Sequence, residues 1–390
     1  MANEAPEKTP FWLNPRVRSI FYQAGVLGAF GLLAWYLISN TLQNLERQAI
    51  ATGFGFLGKV ASFEIGESPI SYSSADYYAR ALLVGVLNTV KVSFAGIAIT
   101  VILGTLIGIA RLSRNWLLSK IAAIYIEVMQ DIPILLQLFF WYAILYESLP
   151  SPRQALHPVA GVYLTNRGIA FAVPEPHPAH MYMGIALAAG IILAFLIYRF
   201  ARKRWERTGK HFPVAGACFA AVLGPPIATW FVFGSPLKMD VPVLRGFNFT
   251  GGMTLSPEFL ALLLGLVLYT GAFVAEAVRA GIQSVGKGQS EAAMSLGLKH
   301  GQVLKLVILP QALRVTIPPL TSQMLNLTKN SSLAVAIGYP DFVSVANTTI
   351  NQTGQSIEGV ALIMLVYLFF SLSTSAFMNW YNKKARLVER

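Results

Sequence analysis

Runs of apolar residues long enough to cross a lipid bilayer recur along most of this chain, and they limit its folds more than any other feature. Roughly 20 such residues span the hydrocarbon layer, and every backbone N–H and C=O inside it must be paired within the segment, so each run is expected to be a helix. About eight spans result, near residues 20–40, 82–110, 121–147, 181–198, 213–233, 258–280, 312–338 and 358–380. Composition agrees, since 55% of residues are hydrophobic and 12% charged, where a soluble domain carries about 25% charged residues. The expected fold class is an all-α membrane protein, a polytopic bundle of about eight transmembrane helices.

An even number of spans puts both termini on one side of the membrane. Of the 30 Lys and Arg residues, 21 fall on the side that holds the termini, 7 on the other, and Lys91 and Lys329 lie within spans. Short cytoplasmic loops retain positive charge, so both termini are expected in the cytoplasm. The opening "MANEAPEKTPFWLNPRVRS" has several prolines and no small-residue cleavage site, so the first span is expected to be a retained anchor. The net charge of +12 does not predict a nucleic-acid partner, because the cations sit in membrane-flanking loops rather than on a polar domain.

Four regions follow: 1–80, a tail, anchor helix and external segment; 81–147, the first core helices; 148–256, an inserted external loop with two additional spans; and 257–390, the remaining core helices with a cytoplasmic loop. The external pieces 41–80 and 148–180 lack the apolar content to fold alone and are expected to pack on the membrane body.

Several apparent motifs carry no chemistry. "GFGFLGKV" (Gly53 to Val60) resembles a phosphate-binding loop but has Val60 where a Ser or Thr would hold magnesium, and no strand and long helix flank it. His157, Glu175, His177 and His180 share a proline-rich loop without the spacing of a metal site, so no bound metal is expected. Cys218 is the single cysteine and cannot form an intrachain disulfide. Gly104 and Gly108 form a GxxxG pair that predicts close approach of another helix.

The stretch "EAAMSLGLKHGQVLKLVILP" (Glu291 to Pro310) differs from its apolar surroundings. Ser290 is suited to cap a helix with Glu291 in its first turn, where the helix dipole favours an anion. Gly297 is suited to end that helix in the left-handed conformation, and a second helix is expected from about Gln302 until Pro310 bends it toward the membrane. Ala292, Ala293 and Met294 would then present a small, mildly apolar surface to the cytosol. That surface fits either a protein groove or a lipid interface.

The pattern of Glu291, Ala292, Ala293, Gly297, Leu309 and Pro310 resembles the EAA loop of permease subunits of bacterial ABC importers. The flanking "YTGAFVAEAVRAGIQSVGKGQSEAAMSLGL", "LPQALRVTIPPLTSQMLNLTKNSSL" and "DIPILLQLFFWY" resemble the polar amino acid permease family. With its N-terminal span and two spans inserted between 181 and 233, the layout is similar to the larger Q-type subunit of general L-amino acid importers (Aap/Bzt type). Departures are Val307 in place of the usual Ile, Lys299 and His300 where relatives have a Ser or Thr cap, and Asp131 and Ile132 before Pro133.

The resemblance implies a five-helix core of the type I importer (MetI-like) fold and a place in the bacterial inner membrane. It implies a permease subunit, not an enzyme, forming the translocation path for L-amino acids delivered by a periplasmic binding protein. This chain would bind no cofactor; ATP and Mg would be bound by a separate cytoplasmic ATPase dimer, into whose cleft the coupling residues Glu291, Ala292, Ala293, Met294, Gly297, Leu309 and Pro310 would fit. A second permease subunit, expected to be a different chain, would complete the path.

Polar groups in hydrocarbon are expensive and tend to face an interior path. Lys329, Asn326 and Asn330, in a polar break of the seventh span, are candidates for substrate contact; Gln137, Glu276 and Arg279 are further candidates, the last two also suited to a structural ion pair near a cytoplasmic helix end. Two competing classes remain: an ion-coupled secondary amino acid transporter, whose usual inverted repeat is not evident, and a membrane-embedded enzyme, for which no paired base and nucleophile is present.

Overall fold

A computed structural model describes residues 15–47, 52–209 and 212–385. By length and composition it contains 7 helices able to cross a membrane, or up to 8 when a bent pair is taken as one span. The expected span at 121–147 is that pair. α1 (Pro15–Arg47), α2 (Tyr78–Arg111) and α3 (Trp116–Asp131) are followed by α4 (Ile134–Ala143), which continues as a π-helical turn to Ser148. The 105° bend between α3 and α4 sits at Pro133, which disfavours helical backbone at Ile132 and has no N–H to carry the ladder on. The expected span is therefore interrupted at Pro133.

The expected loop 148–180 is corrected as well. β1 (Leu156–Val159), β2 (Val162–Thr165) and β3 (Gly168–Phe171) form an antiparallel meander, followed by β4 (Val173–Pro174). After α5 (Pro178–Thr208) and α6 (Val214–Val232) come β5 (Met239–Asp240), β6 (Val243–Arg245), β7 (Asn248–Thr250) and β8 (Met253–Leu255). β8 joins the meander at β3, with Ile169 opposite Leu255, while β4 pairs with β5 and β6 with β7. Gly168, at φ +107°, leaves room for β8, because a Cβ there would overlap the carbonyl oxygen of Leu255. The remaining helices are α7 (Pro257–Gln283), α8 (Lys287–Ser295), α9 (His300–Val303), α10 (Leu309–Asn330), α11 (Phe342–Thr353) and α12 (Ser356–Ala385).

The chain divides into two compact units. One comprises residues 1–93, 324–335 and 340–390. Its core gathers Phe56, Ala61, Tyr78, Ala81, Leu82, Phe342, Val345 and Ala346, so the polar segment after α1 packs on the membrane body as expected. Lys91, expected deep in its span, forms an ion pair with Glu67 of that segment. The Asn88 side chain donates to the carbonyls of Glu67 (2.8 Å) and Pro340 (2.9 Å).

Asp341 is fully buried and caps α11, accepting from the Ser344 N–H at 2.8 Å and from the Tyr367 hydroxyl at 3.1 Å. Loss of hydration outweighs these bonds and pushes its carboxyl up from 3.8 to about 6. The folded state thus holds the proton more tightly than the unfolded chain, and stability present at low pH is lost as pH rises from about 4 to about 6. The loss is on the order of 3 kcal/mol. Asp341→Asn, which keeps an acceptor for Ser344, is expected to remove this component from a thermal-melting profile recorded from pH 4 to 7.5; identical profiles for the two proteins would contradict it.

The other unit comprises residues 94–323 and 336–339, and α7 is its central helix. Small residues bring its neighbours close. A Cβ on Gly104 would lie 2.5 Å from Val274 Cγ1, and one on Gly108 would lie 2.7 Å from the Ala275 carbonyl oxygen. The GxxxG pair therefore does seat α2 against α7. Gly265 faces Leu138 of α4, and Gly281 faces Thr316 and Ala312 of α10. The Tyr125 hydroxyl of α3 donates to the Leu268 carbonyl of α7 at 2.7 Å. In lipid no hydrophobic drive pulls helices together, so close backbone approach and such bonds supply the association.

Candidate coupling and translocation site

The stretch 287–310 folds as two helical pieces about a glycine. α8 begins three residues before the expected cap: Gly286, in extended backbone, precedes Lys287 and no side chain caps the helix. Ser290 therefore lies inside α8 and Glu291 is its fifth residue, beyond the first turn. The glycine and polar residues of "GKGQ" accept the extra turn, which the single-residue cap rule does not anticipate. Glu291 and Ala292 are exposed, but Ala293 is buried at 6% exposure. Ala293 is thus corrected from docking surface to anchor, because its side of α8 lies against α9 and the π-helical turn that follows it.

The end of α8 follows local expectation. Gly297 has φ +80°; its N–H bonds to the Met294 carbonyl at 2.9 Å and the Leu298 N–H to that of Ala293 at 3.3 Å. This is the paired closure of a Schellman motif, which only a residue tolerant of positive φ completes without strain. It leaves Leu296 83% and Met294 41% exposed on the last turn of the helix. Leu296 was not among the sequence-derived docking residues; a leucine directly before a terminating glycine was the signal available.

The second piece differs from expectation at both ends. Its N-cap is Lys299, whose backbone N–H donates to the Gln302 side-chain oxygen Oε1 at 2.9 Å. Gln302 thus supplies the half of a capping box that a Ser or Thr is not needed for. Pro310 does not bend the chain away. α9, a π-helical turn over Leu304–Ile308, and α10 run on as a helical stretch from His300 to Ile337. The wider turn just before Pro310 accommodates its missing N–H and its ring, which a regular α-helical turn does not. Leu309 is 44% exposed at that junction.

The path candidates fall in separate units. In the α7-centred unit, Gln137 is 5% exposed and its Nε2 donates to the carbonyls of Met129 (3.0 Å) and Ile132 (2.9 Å). It ties off the end of α3 where Pro133 stops the ladder. Glu276 and Arg279 pair along α7, and Arg279 also reaches Gln283 at 2.6 Å. In the other unit, Asn326, Lys329 and Asn330 share one face of the last turns of α10, at spacings of three and four. Asn326 and Lys329 are exposed and Asn330 half-buried. The expected polar break is real: α10 tightens to a 3₁₀ helix over Ser331–Ile337. There Ser331 and Ser332 donate to the carbonyls of Thr328 (2.7 Å) and Lys329 (2.8 Å).

The decoy motifs have structural tasks. Phe54–Gly58 is a 3₁₀ turn that buries Phe56. His177 caps α5 and His157 stands edge-on to Tyr163. Among the described residues no group of three or more His, Cys, Asp or Glu is placed to hold a metal.

Comparison with known proteins gives this arrangement its context. Residues 96–387 match the family model described as binding-protein-dependent transport system inner membrane component. The chain is 49% identical to the general L-amino acid transport system permease protein AapQ of Rhizobium johnstonii, with 100% of each chain covered. It is 47% identical to the putative amino-acid ABC transporter permease protein YhdX of Escherichia coli, covering 97% of this chain and 96% of that one. With the glutamate/glutamine/aspartate/asparagine transport system permease protein BztB of Rhodobacter capsulatus it shares 40% identity over 99% of each. A helical bundle with a glycine-hinged EAA island, matched end to end by such relatives, belongs to the family of binding-protein-dependent transport system inner membrane components and stands there with the Aap/Bzt-type permeases.

Proposed function

We propose that this chain is the permease subunit of an ATP-driven importer and forms part of an inner-membrane path for L-amino acids handed over by a periplasmic binding protein. The observation that carries the reading is end-to-end similarity to relatives named as amino-acid permeases. The exposed end of α8 supports the coupling half of the reading, with Leu296 and Met294 held out by the Gly297 closure. Glu291, Ala292, Met294 and Leu296 form the knob that enters a cleft of a cytoplasmic ATPase dimer, and Ala293 braces it from behind. Leu309 and Pro310 sit where the knob's motion enters α10. ATP and Mg are bound by that dimer, and this chain catalyses no reaction. A second, different permease chain completes the path, and both termini of this chain lie in the cytoplasm. Asn326, Lys329 and Asn330 offer a cationic and amide face suited to an amino acid carboxylate.

The test is reconstitution in liposomes with the second permease, the ATPase and the binding protein. Amino-acid-loaded binding protein is expected to stimulate ATP hydrolysis and uptake together. Uptake by this chain and its permease partner without the ATPase, driven by an ion gradient, would overturn the proposal in favour of an ion-coupled transporter.

A further inference from the structure

α5 and α6 form a hairpin closed tightly at Gly190, where a Cβ would overlap the Ala221 carbonyl oxygen. Little of their apolar surface is covered within the chain: 6% of the span window of each is buried. At the basic end of this hairpin lies a cavity of about 410 Å³ lined by Tyr198, Arg202, Trp205 and Glu206 of α5 with Phe212, just before α6, and Val214, its first residue. The last ten residues of α5, 199–208, hold five cations (Arg199, Arg202, Lys203, Arg204, Arg207) against one anion, Glu206. Glu206 engages Arg202 through its Nε at 3.1 Å.

The order of residues leading to this cavity follows the profile of a lipid. Ile191, Phe195, Tyr198, Arg202 and Trp205 recur at spacings of four and three, so they share one face of α5. Ile191 and Phe195 are each 55% exposed and Tyr198 51%. From Ile191 to Arg202 the helix rises about 16 Å, close to the roughly 15 Å of one leaflet's hydrocarbon. Aliphatic, aromatic and cationic groups thus appear in the sequence met by an acyl chain, its ester carbonyls and its phosphate. Arg199 lies 5.9 Å over the Phe195 ring, a second cation on the membrane side of Arg202. A planar guanidinium suits a phosphodiester better than a zwitterionic headgroup suits so cationic a rim.

We propose that the α5–α6 cavity is a binding site for one diacyl anionic phospholipid, its phosphate at Arg202, its glycerol backbone between Tyr198, Trp205 and Phe212, and an acyl chain along Phe195 and Ile191. The assignment rests on the chain spanning a membrane and is independent of what it transports.

The purified full-length chain in neutral detergent is titrated with dioleoylphosphatidylglycerol or dioleoylphosphatidylcholine, and bound lipid is counted by native mass spectrometry, with glycerol 1-phosphate as competitor. Phosphatidylglycerol is expected to bind at least about fivefold more tightly than phosphatidylcholine. Arg202→Gln is expected to weaken it about fivefold, the effect of one cation at an anionic surface, whereas Arg202→Lys retains most of the affinity and Arg18→Gln, on α1, changes nothing. Trp205→Ala provides an independent variant if Arg202→Gln does not fold, and it too is expected to weaken binding. Equal binding of the two lipids, indifference to both cavity variants, or displacement by glycerol 1-phosphate as effective as by phosphatidylglycerol would each overturn the proposal.

Discussion

Gly297→Pro is expected to leave the chain inserted at its normal level while lowering uptake at least about tenfold and severing it from ATP hydrolysis. The native residue sits at φ +80°. Proline is locked near −65° and has no N–H, so it loses the bond to Met294 and forces the chain out of the turn, at about 3 kcal/mol. That exceeds the 1.4 kcal/mol or so that changes an equilibrium tenfold. A Cβ at this position meets nothing within 4 Å, so the effect is one of backbone geometry and not of crowding. A graded series follows: Gly297→Asn, which tolerates positive φ, keeps most activity; Gly297→Ala loses part, in line with a left-handed penalty of roughly 1–2 kcal/mol; proline loses nearly all. The readouts are membrane abundance, binding-protein-stimulated ATPase rate and uptake in the reconstituted importer. Unchanged uptake with proline would remove Gly297 and the end of α8 from the coupling route.

The same island shows what a sequence discloses and what it withholds. Gly297 was legible because its role is local: a helix end needs a positive φ, and glycine reaches it without strain. The start of α8 was not, since Ser290 was a good cap by type while the chain helix-starts at Lys287, behind Gly286. The facing of Ala293 depends on what α8 packs against, which no residue within α8 encodes. Hydropathy located the membrane segments, yet it has no direction, so it carried no sign of the 105° bend within 121–147, although Pro133 was in plain view. For the sheet, "VYLT" and "GIAF" carried strand-forming residues on either side of an Asn-Arg turn, but prolines around them argued for a loop. Their fourth strand, β8, comes from more than eighty residues further on, beyond the reach of any local pattern. Gly104 and Gly108 advertised a close helix contact by their spacing; Gly281 has no such partner in sequence and became legible only against α10.

Gly281 is therefore the position where a small change is expected to disturb this bundle most. It lies on α7 where α10 crosses, and an added Cβ would overlap the Thr316 hydroxyl oxygen and stand 3.0 Å from the Ala312 carbonyl oxygen. Thr316 is buried and its hydroxyl already donates to Ala312 at 2.9 Å, so it has no open side to rotate into without giving up that bond. Overpacking of this kind costs about 1–3 kcal/mol per inserted group. Gly281→Val is thus expected to lower the melting temperature of the purified chain well beyond Gly281→Ala. Thr316→Ala removes the overlapping oxygen, and the double variant Gly281→Ala, Thr316→Ala is expected to recover part of the loss. Residues in direct contact are non-additive in this way, and the shortfall in a double-mutant cycle measures their clash. Additive losses would mean that α7 and α10 do not meet at this glycine. Because α7 and α10 are also the two helices that bracket the island, the crossing at Gly281 holds its two roots together, and a loosened crossing is expected to weaken coupling before it unfolds the chain. Gly281→Ala at a temperature well below its melting point should accordingly show reduced uptake per ATP hydrolysed, and the double variant should restore it.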